Sequence, residues 1–184
     1  MSTPVPFRKM NGLGNEIVVV DLRGRVGAFT PAAARTIGRR GSPGFDQMMV
    51  LHNPETAGTD AYVRIYNADG SEAGACGNGM RCVSWVVAEE TGRTSLKFET
   101  AAGILEAHVV DAGCVSVDMG APRFGWRDIP LVQPSGDTAA VEIDVAGALR
   151  RHRLRRPDRA RTVRAHARGE CRHRQCREDA RRDI

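Results

Sequence analysis

Cys76 stands in the run Gly74-Ala75-Cys76-Gly77-Asn78-Gly79, directly ahead of the apolar stretch that begins at Met80. A glycine-rich turn that opens a helix leaves backbone N–H groups without partners and carries a partial positive charge. Such donors favour a thiolate nearby and can also hold a ligand carboxylate. Gly77 and Gly79 would let a ligand lie against bare backbone, and Asn78 adds a side-chain amide. A thiol beside a carboxylate cradle is equipment for chemistry at the carbon next to a carboxylate.

Other roles for these residue types are weaker. A cysteine can serve as a small core hydrophobe, and that is the reading for Cys82 inside the apolar run and for Cys114 on a strand. Zinc is disfavoured, because Cys76 and Cys82 have five residues between them, with no Cys-x-x-Cys pair and no histidine nearby. The two lysines, Lys9 and Lys97, lie in no context for a pyridoxal Schiff base. There is no P-loop and no Gly-x-Gly-x-x-Gly opening a helix; "GLGNE" at 12–16 is too short for a dinucleotide fingerprint. Acyl transfer by a Cys–His pair stays open, although His52 and His108 both stand in strand-like text and are weighed as structural.

The elements that must carry Cys76 are legible from periodicity. Strands are expected at 7–10, 16–21, 45–51, 61–67, 95–100, 103–111 and 114–120, with "NADG" and "DAG" as turns. One helix is expected from Thr30 as N-cap through Pro31 to a stop at Gly41. A second follows the Cys76 turn and ends at Gly92. Its residues Met80, Cys82, Val83, Trp85, Val86, Val87 and Ala88 leave almost no polar face, the mark of a buried helix. The expected fold class is α+β: a curved, mostly antiparallel sheet or barrel wrapped around one central apolar helix, with Cys76 at its mouth.

The bulk numbers divide the chain. It has 184 residues and a net charge of +5, but residues 1–149 hold 13 basic and 17 acidic side chains, whereas 150–184 hold 14 arginines and 5 acids. The basic segment has Leu154, Val163 and Ile184 as its large apolar residues, too few to offset the entropy of ordering it. A body at 1–149 and a disordered Arg-rich tail at 150–184 are therefore expected. Five cysteines without a repeated spacing argue for reduced thiols rather than a disulfide framework. No signal-peptide pattern opens the chain and no apolar run is long enough to span a membrane, so a cytoplasmic location is expected.

Taken in order, "FRKMNGLGNEIVVVD", "GFDQMMV", "YVRIYNADGSEAGACGNGMRC" and "FETAAG" resemble the N-terminal half of the diaminopimelate epimerases. The resemblance runs from about Phe7 through most of the body, and "NADGSE…CGNG.RC" is its most specific block. It implies a cofactor-free isomerase that inverts one α-carbon of diaminopimelate, a step in lysine and peptidoglycan precursor synthesis. One cysteine removes the α-proton from one face and a second delivers a proton to the other. Carried over by position, Cys76 is one thiol of the pair, Gly77 and Asn78 hold the reacting carboxylate, and Asn15, Gln47 and Asn67 line the pocket. By residue type alone, Asn15 and Asn67 would be turn residues and Gln47 a solvated strand residue. The substrate is then the small-molecule partner, with no metal and no membrane, and a homodimer left open.

The sequence also departs from that pattern. Members of this family have two similar halves, each with a cysteine at a helix mouth. Nothing after Leu149 repeats the Cys76 turn, and neither Cys171 nor Cys176 has a glycine cradle. The expectation is a chain inactive by itself, its frame slipped near residues 145–150, since Lys-free, Arg-rich text is what GC-rich DNA gives out of frame. Asn11 stands where the family has histidine. The competing readings are a non-catalytic protein that binds nucleic acid through the basic segment, and a related proline or hydroxyproline racemase.

Overall fold

A computed structural model describes residues 5–40, 44–111, 114–121 and 123–128 in full, and the backbone of 140–145, 148–153 and 176–183. The expected stop at Gly41, the Ala112–Gly113 turn, Cys171 and residues 154–175 of the Arg-rich segment lie outside the described residues. Two compact units are present, one of residues 1–119 with 165–184 and one of 120–164.

In the first unit all seven expected strands form: β1 (Pro6–Gly12), β2 (Asn15–Asp21), β3 (Gln47–His52), β4 (Ala61–Asn67), β5 (Ser95–Thr100), β6 (Gly103–Asp111) and β7 (Cys114–Asp118). Both helices form as well, α1 (Pro31–Arg40) and α2 (Gly77–Thr91). Thr30 caps α1, its Oγ1 accepting from Ala33 N at 3.2 Å, with Pro31 in the first helical position. Gly92 ends α2 in the left-handed region (φ 69), its N–H bonded to Ala88 O at 2.8 Å. In the second unit β8 (Ala140–Val145) and β9 (Ala148–Arg153) form an antiparallel hairpin. A last strand, β10 (Cys176–Asp183), belongs to the first unit.

The large sheet has the order β10-β1-β2-β3-β4-β5-β6-β7. It is mostly antiparallel, as expected, but β2 pairs β3 and β4 pairs β5 in parallel. Parallel neighbours need a crossover, and α1 and α2 are those crossovers. Because β3 and β4 run antiparallel, the second crossover starts from strands of reversed direction. A crossover of the same hand must then land on the opposite sheet face.

The two cores follow from this. On one face α2 packs against β1, β2, β3, β6 and β7, so the sheet curls around it. Met10, Ile17, Val19, Met49, Leu51, Val63, Ile65 and Phe98 meet Met80, Val83, Val86 and Val87 there. On the other face Val18, Val20, Met48, Val50 and Tyr66 pack with Ala34 of α1. Strands β2 and β3 are therefore buried on both faces, which is why they read as unbroken apolar runs. In β6 the period is two: Leu105, Ala107 and Val109 point inward while Ile104, Glu106, His108 and Val110 are exposed. Each fully buried aliphatic side chain contributes about 1.5–3 kcal/mol, so the apolar faces of α2 anchor Cys76 firmly.

The expectation of reduced thiols is corrected at one position. Cys114, half-buried at the start of β7, is disulfide-bonded. Cys82 is fully buried in the core around α2, as expected. Among the described residues, no helix is long and apolar enough to cross a membrane.

Candidate active site

Cys76 is the N-cap of α2. Its backbone is extended (φ −150, ψ 100), its carbonyl accepts from Met80 N at 2.9 Å, and its Sγ accepts from Gly79 N at 3.2 Å. A thiol thus takes the position usually given to a hydroxyl or carboxylate. The segment before it is folded back over β4 by Ala73 N to Ile65 O at 3.0 Å and by a bridge between Tyr66 and Glu72. This brings the sulfur to the ends of β3 and β4.

Gln47 opens β3 and stands opposite Asn67, the last residue of β4, in antiparallel register. The Cys76 thiol donates to Gln47 Oε1 at 2.6 Å, and Gln47 Nε2 donates to Asn67 Oδ1 at 3.3 Å. Three expected site residues are therefore joined directly. The thiol's side-chain partner is an amide. His52 ends β3 opposite Tyr62, and exposed His108 meets Ser95 Oγ at 3.2 Å. Burial, then Arg64, keeps His52 below the usual histidine range. Neither histidine serves Cys76, so the Cys–His pairing left open by the sequence has no support in the structure.

Asn78 lies in the first turn of α2. Its Oδ1 accepts from the Arg81 guanidinium, and since arginine can only donate, the amide's two N–H groups are left for another acceptor. Arg81 was not singled out from sequence; its position three residues after Asn78 on a helix was the signal available. Its Nε is buried without a hydrogen-bond partner among the described residues.

Asn15 opens β2. It pairs with Gly12 across the Leu13-Gly14 turn, where both residues have positive φ (54 and 96). A Cβ on Gly12 would sit 3.2 Å from Asn78 O and 3.3 Å from Cys82 Sγ, so glycine is what allows this turn against α2. Asn11 clamps the turn, Oδ1 accepting from Gly14 N at 3.0 Å and Nδ2 donating to Glu16 Oε1 at 2.8 Å. Lys9 Nζ lies 3.0 Å from Glu16 Oε2. Lys9 first and Asn11 next hold the Glu16 carboxyl below its ordinary range.

The two cradle glycines prove different. A Cβ on Gly77 would come no closer than 3.7 Å to another group, the Met119 Sδ, so it would make only ordinary contacts there. A Cβ on Gly79 would lie 2.4 Å from Sδ of fully buried Met49. Gly79 is needed for packing, which corrects the expectation that both glycines offer bare backbone to a ligand. What remains is a thiol, the N–H groups of Gly77 and Asn78 that have no acceptor within the helix, and the Asn78 amide.

Residues 7–125 match the profile of the diaminopimelate epimerase family. The diaminopimelate epimerase of Brucella anthropi is 53% identical over 145 residues, which is 79% of this chain and 48% of that protein. The enzyme of Brucella canis is 52% identical over 148 residues, 80% of this chain and 49% of its own length. The chain thus spans about half the length of the curated relatives it matches. Among solved structures, a hydroxyproline epimerase from Agrobacterium vitis aligns over 63% of this chain and 41% of its own, with a TM-score of 0.48 and 18% identity. With the matched segment enclosing β2 to β7, α2 and Cys76, the chain belongs to the diaminopimelate epimerase family.

Proposed function

We propose that Cys76 exchanges the α-proton of diaminopimelate. The observation that carries this reading is the placement of its sulfur at the N-terminus of α2, between Gln47 Oε1 and Gly79 N, within the segment the family shares. The N–H groups of Gly77 and Asn78, with the Asn78 amide, hold the α-carboxylate. An α-proton is very weakly acidic, so a thiolate alone removes it too slowly. Donors aimed at the developing charge supply the largest share of the stabilisation. Asn15, Gln47 and Asn67 line the pocket, and no cofactor takes part.

Inversion needs a second thiol on the opposite face of the carbon. Cys76 alone in this sequence stands in such a glycine turn, and the chain by itself does not invert. A slip of frame near residues 145–150 is supported by the change to lysine-free, arginine-rich text after Leu149. We place the protein in the cytoplasm, with diaminopimelate as its small-molecule partner. The test is protection of Cys76 from alkylation, read peptide by peptide by mass spectrometry. Millimolar diaminopimelate should slow labelling of Cys76 severalfold and leave the other cysteines unchanged. Equal labelling with and without it would sink the reading. Incubation in deuterated water should give no inverted product; deuterium at the α-carbon together with inversion would overturn the claim that this chain does not invert.

A further inference from the structure

Cys76 is connected to an exposed carboxylate by an unbroken row of side-chain hydrogen bonds. Its thiol donates to Gln47 Oε1 (2.6 Å), Gln47 Nε2 to Asn67 Oδ1 (3.3 Å), Asn67 Nδ2 to Ser71 Oγ (3.0 Å), and Ser71 Oγ to Asp69 Oδ1 (2.6 Å). The turn from Asn67 to Gly70 makes this possible. Gly70, at φ 85 and too close to Pro31 O to carry a side chain, lets the strand reverse. Ser71 O then accepts from Asn67 N at 2.8 Å, which brings Ser71 back beside Asn67.

The polarity of the row is set from its far end. An ionised carboxylate can only accept. Asp69 is held below the ordinary carboxylate range, first by the Ser71 hydroxyl and then by the Ser71 backbone N–H. The single hydroxyl hydrogen of Ser71 is therefore committed to Asp69, and Ser71 Oγ has lone pairs alone to offer Asn67. Asn67 must present its Nδ2 to Ser71 and its Oδ1 to Gln47. Gln47 must in turn present its Nε2 to Asn67, which leaves its Oε1 facing sulfur. A carbonyl oxygen in that position can only accept, so it pairs with S–H and opposes a bare thiolate.

We infer that Asp69 and Ser71 are positioning residues which, through Asn67 and Gln47, fix an acceptor oxygen against the Cys76 thiol and so restrain its reaction as a nucleophile while the site is empty. This rests on the reading of Cys76 as a proton-transfer thiol and adds what restrains that thiol before a ligand arrives. On that basis Cys76 is available as a base only once the bond to Gln47 Oε1 is released. Neither Asp69 nor Ser71 touches the substrate; they act by fixing the orientation of an amide that does touch the thiol.

The experiment measures the rate at which iodoacetamide, a neutral reagent, alkylates Cys76 in the full chain without substrate. In Ser71→Ala the row is cut, the Gln47 amide is free to turn its N–H toward sulfur, and a thiolate gains a donor. Labelling of Cys76 should rise about three- to tenfold, the size of a charge-assisted hydrogen bond gained over a neutral one. Ser71→Thr keeps the hydroxyl and should match the wild type, whereas its isostere Ser71→Val should behave as the alanine variant. In a Gln47→Leu background Ser71→Ala should change nothing. Buried Cys82 reports folding: if it labels in Ser71→Ala, the Thr and Val pair decides. Wild-type rates in both Ser71→Ala and Ser71→Val would overturn the inference, as would an effect that persists in Gln47→Leu. If Ser71→Ala speeds labelling but diaminopimelate gives no protection, the relay stands and the substrate reading falls. Protection with a flat Ser71→Ala rate gives the reverse.

Discussion

Among the described residues, two places gather backbone N–H groups around one point, and the protein itself fills one of them. Glu99 of β5 reaches the loop between β3 and β4. Its Oε1 accepts from Glu55 N at 2.9 Å, Thr56 N at 3.0 Å and Thr59 Oγ1 at 2.5 Å, and its Oε2 from Thr56 Oγ1 at 2.8 Å. The residue is 7% exposed and belongs to the buried set. At the mouth of α2 the donors are of the same kind, yet among the described residues Gly77 and Asn78 have no carboxylate from the chain to meet. The contrast separates two uses of one device. A cradle occupied by an internal anion holds a loop, and on the proposed reading a cradle left open beside a thiol receives a ligand.

The contrast is broken most severely by emptying the filled cradle. Glu99→Ala leaves the Glu55 and Thr56 N–H groups and the Thr56 hydroxyl without their acceptor, although the Thr59 hydroxyl keeps Thr56 O, and removes the tie between loop and β5. We expect a larger fall in Tm from this substitution than from either glycine replacement below, with new proteolytic cuts between residues 53 and 59. The pH dependence follows from the sign of the shift. Thr59 first, then Thr56 and Glu55, lower the Glu99 pKa from an ordinary 4.5 to about 2. Its contribution is complete above about pH 4.5, fades as pH falls, and is gone below about 2. The difference in Tm between wild type and Glu99→Ala should accordingly shrink through that window; a difference that persists unchanged at pH 2 would remove the carboxylate from the explanation.

Next in size is Gly79→Ala. Helix propensity by itself would favour alanine by about 1 kcal/mol. The Cβ would press on Met49 inside a close-packed core, where overpacking costs about 1–3 kcal/mol. We expect the clash to win, with denaturant midpoints shifted downward. A midpoint above the wild type would show that Met49 yields freely.

Gly77→Ala sharpens the comparison with the smallest structural effect. Its Cβ meets ordinary contacts at 3.7 Å and beyond, so Tm should stay within about 1 °C. Protection of Cys76 by diaminopimelate should nevertheless weaken about tenfold, because the methyl group occupies the surface meant for the carboxylate. Undiminished protection would mean that the open cradle is not where the carboxylate rests.

Most of the fold could be read in the sequence because its signals are local. Alternation in β6, the cap at Thr30 and the stop at Gly92 each depend on neighbouring residues alone. The parallel pairings of β2 with β3 and β4 with β5 were not legible, since nothing in an apolar run says which neighbour it will take. At the site the motif text marked Cys76, Asn78, Gln47 and Asn67, but residue types do not record who bonds to whom. Register places Gln47 opposite Asn67, and the Gly70 turn returns Ser71 to Asn67; those two facts of geometry create the row that ends at Asp69. Gly79 looked like Gly77 because Met49, thirty residues earlier, is what distinguishes them. The role of Asn11 depends on the Leu13-Gly14 turn it clamps, which residue types alone do not reveal.

The order of the strands has a kinetic consequence. From β1 to β7 every pair of neighbours in the sheet is also consecutive along the chain, joined by a turn, a loop or one helix. Loop-closure entropy is paid in small steps, and each new strand finds its partner already formed. Among the described residues the exception is the ladder that joins Pro6–Gly12 to Cys176–Asp183. It closes nearly the whole length of the chain, so it should be the last contact to form and the first to open. A nascent chain could therefore assemble the curled sheet, bury α2 and set Cys76 in place while the ribosome is still adding the residues that will cover the edge of β1.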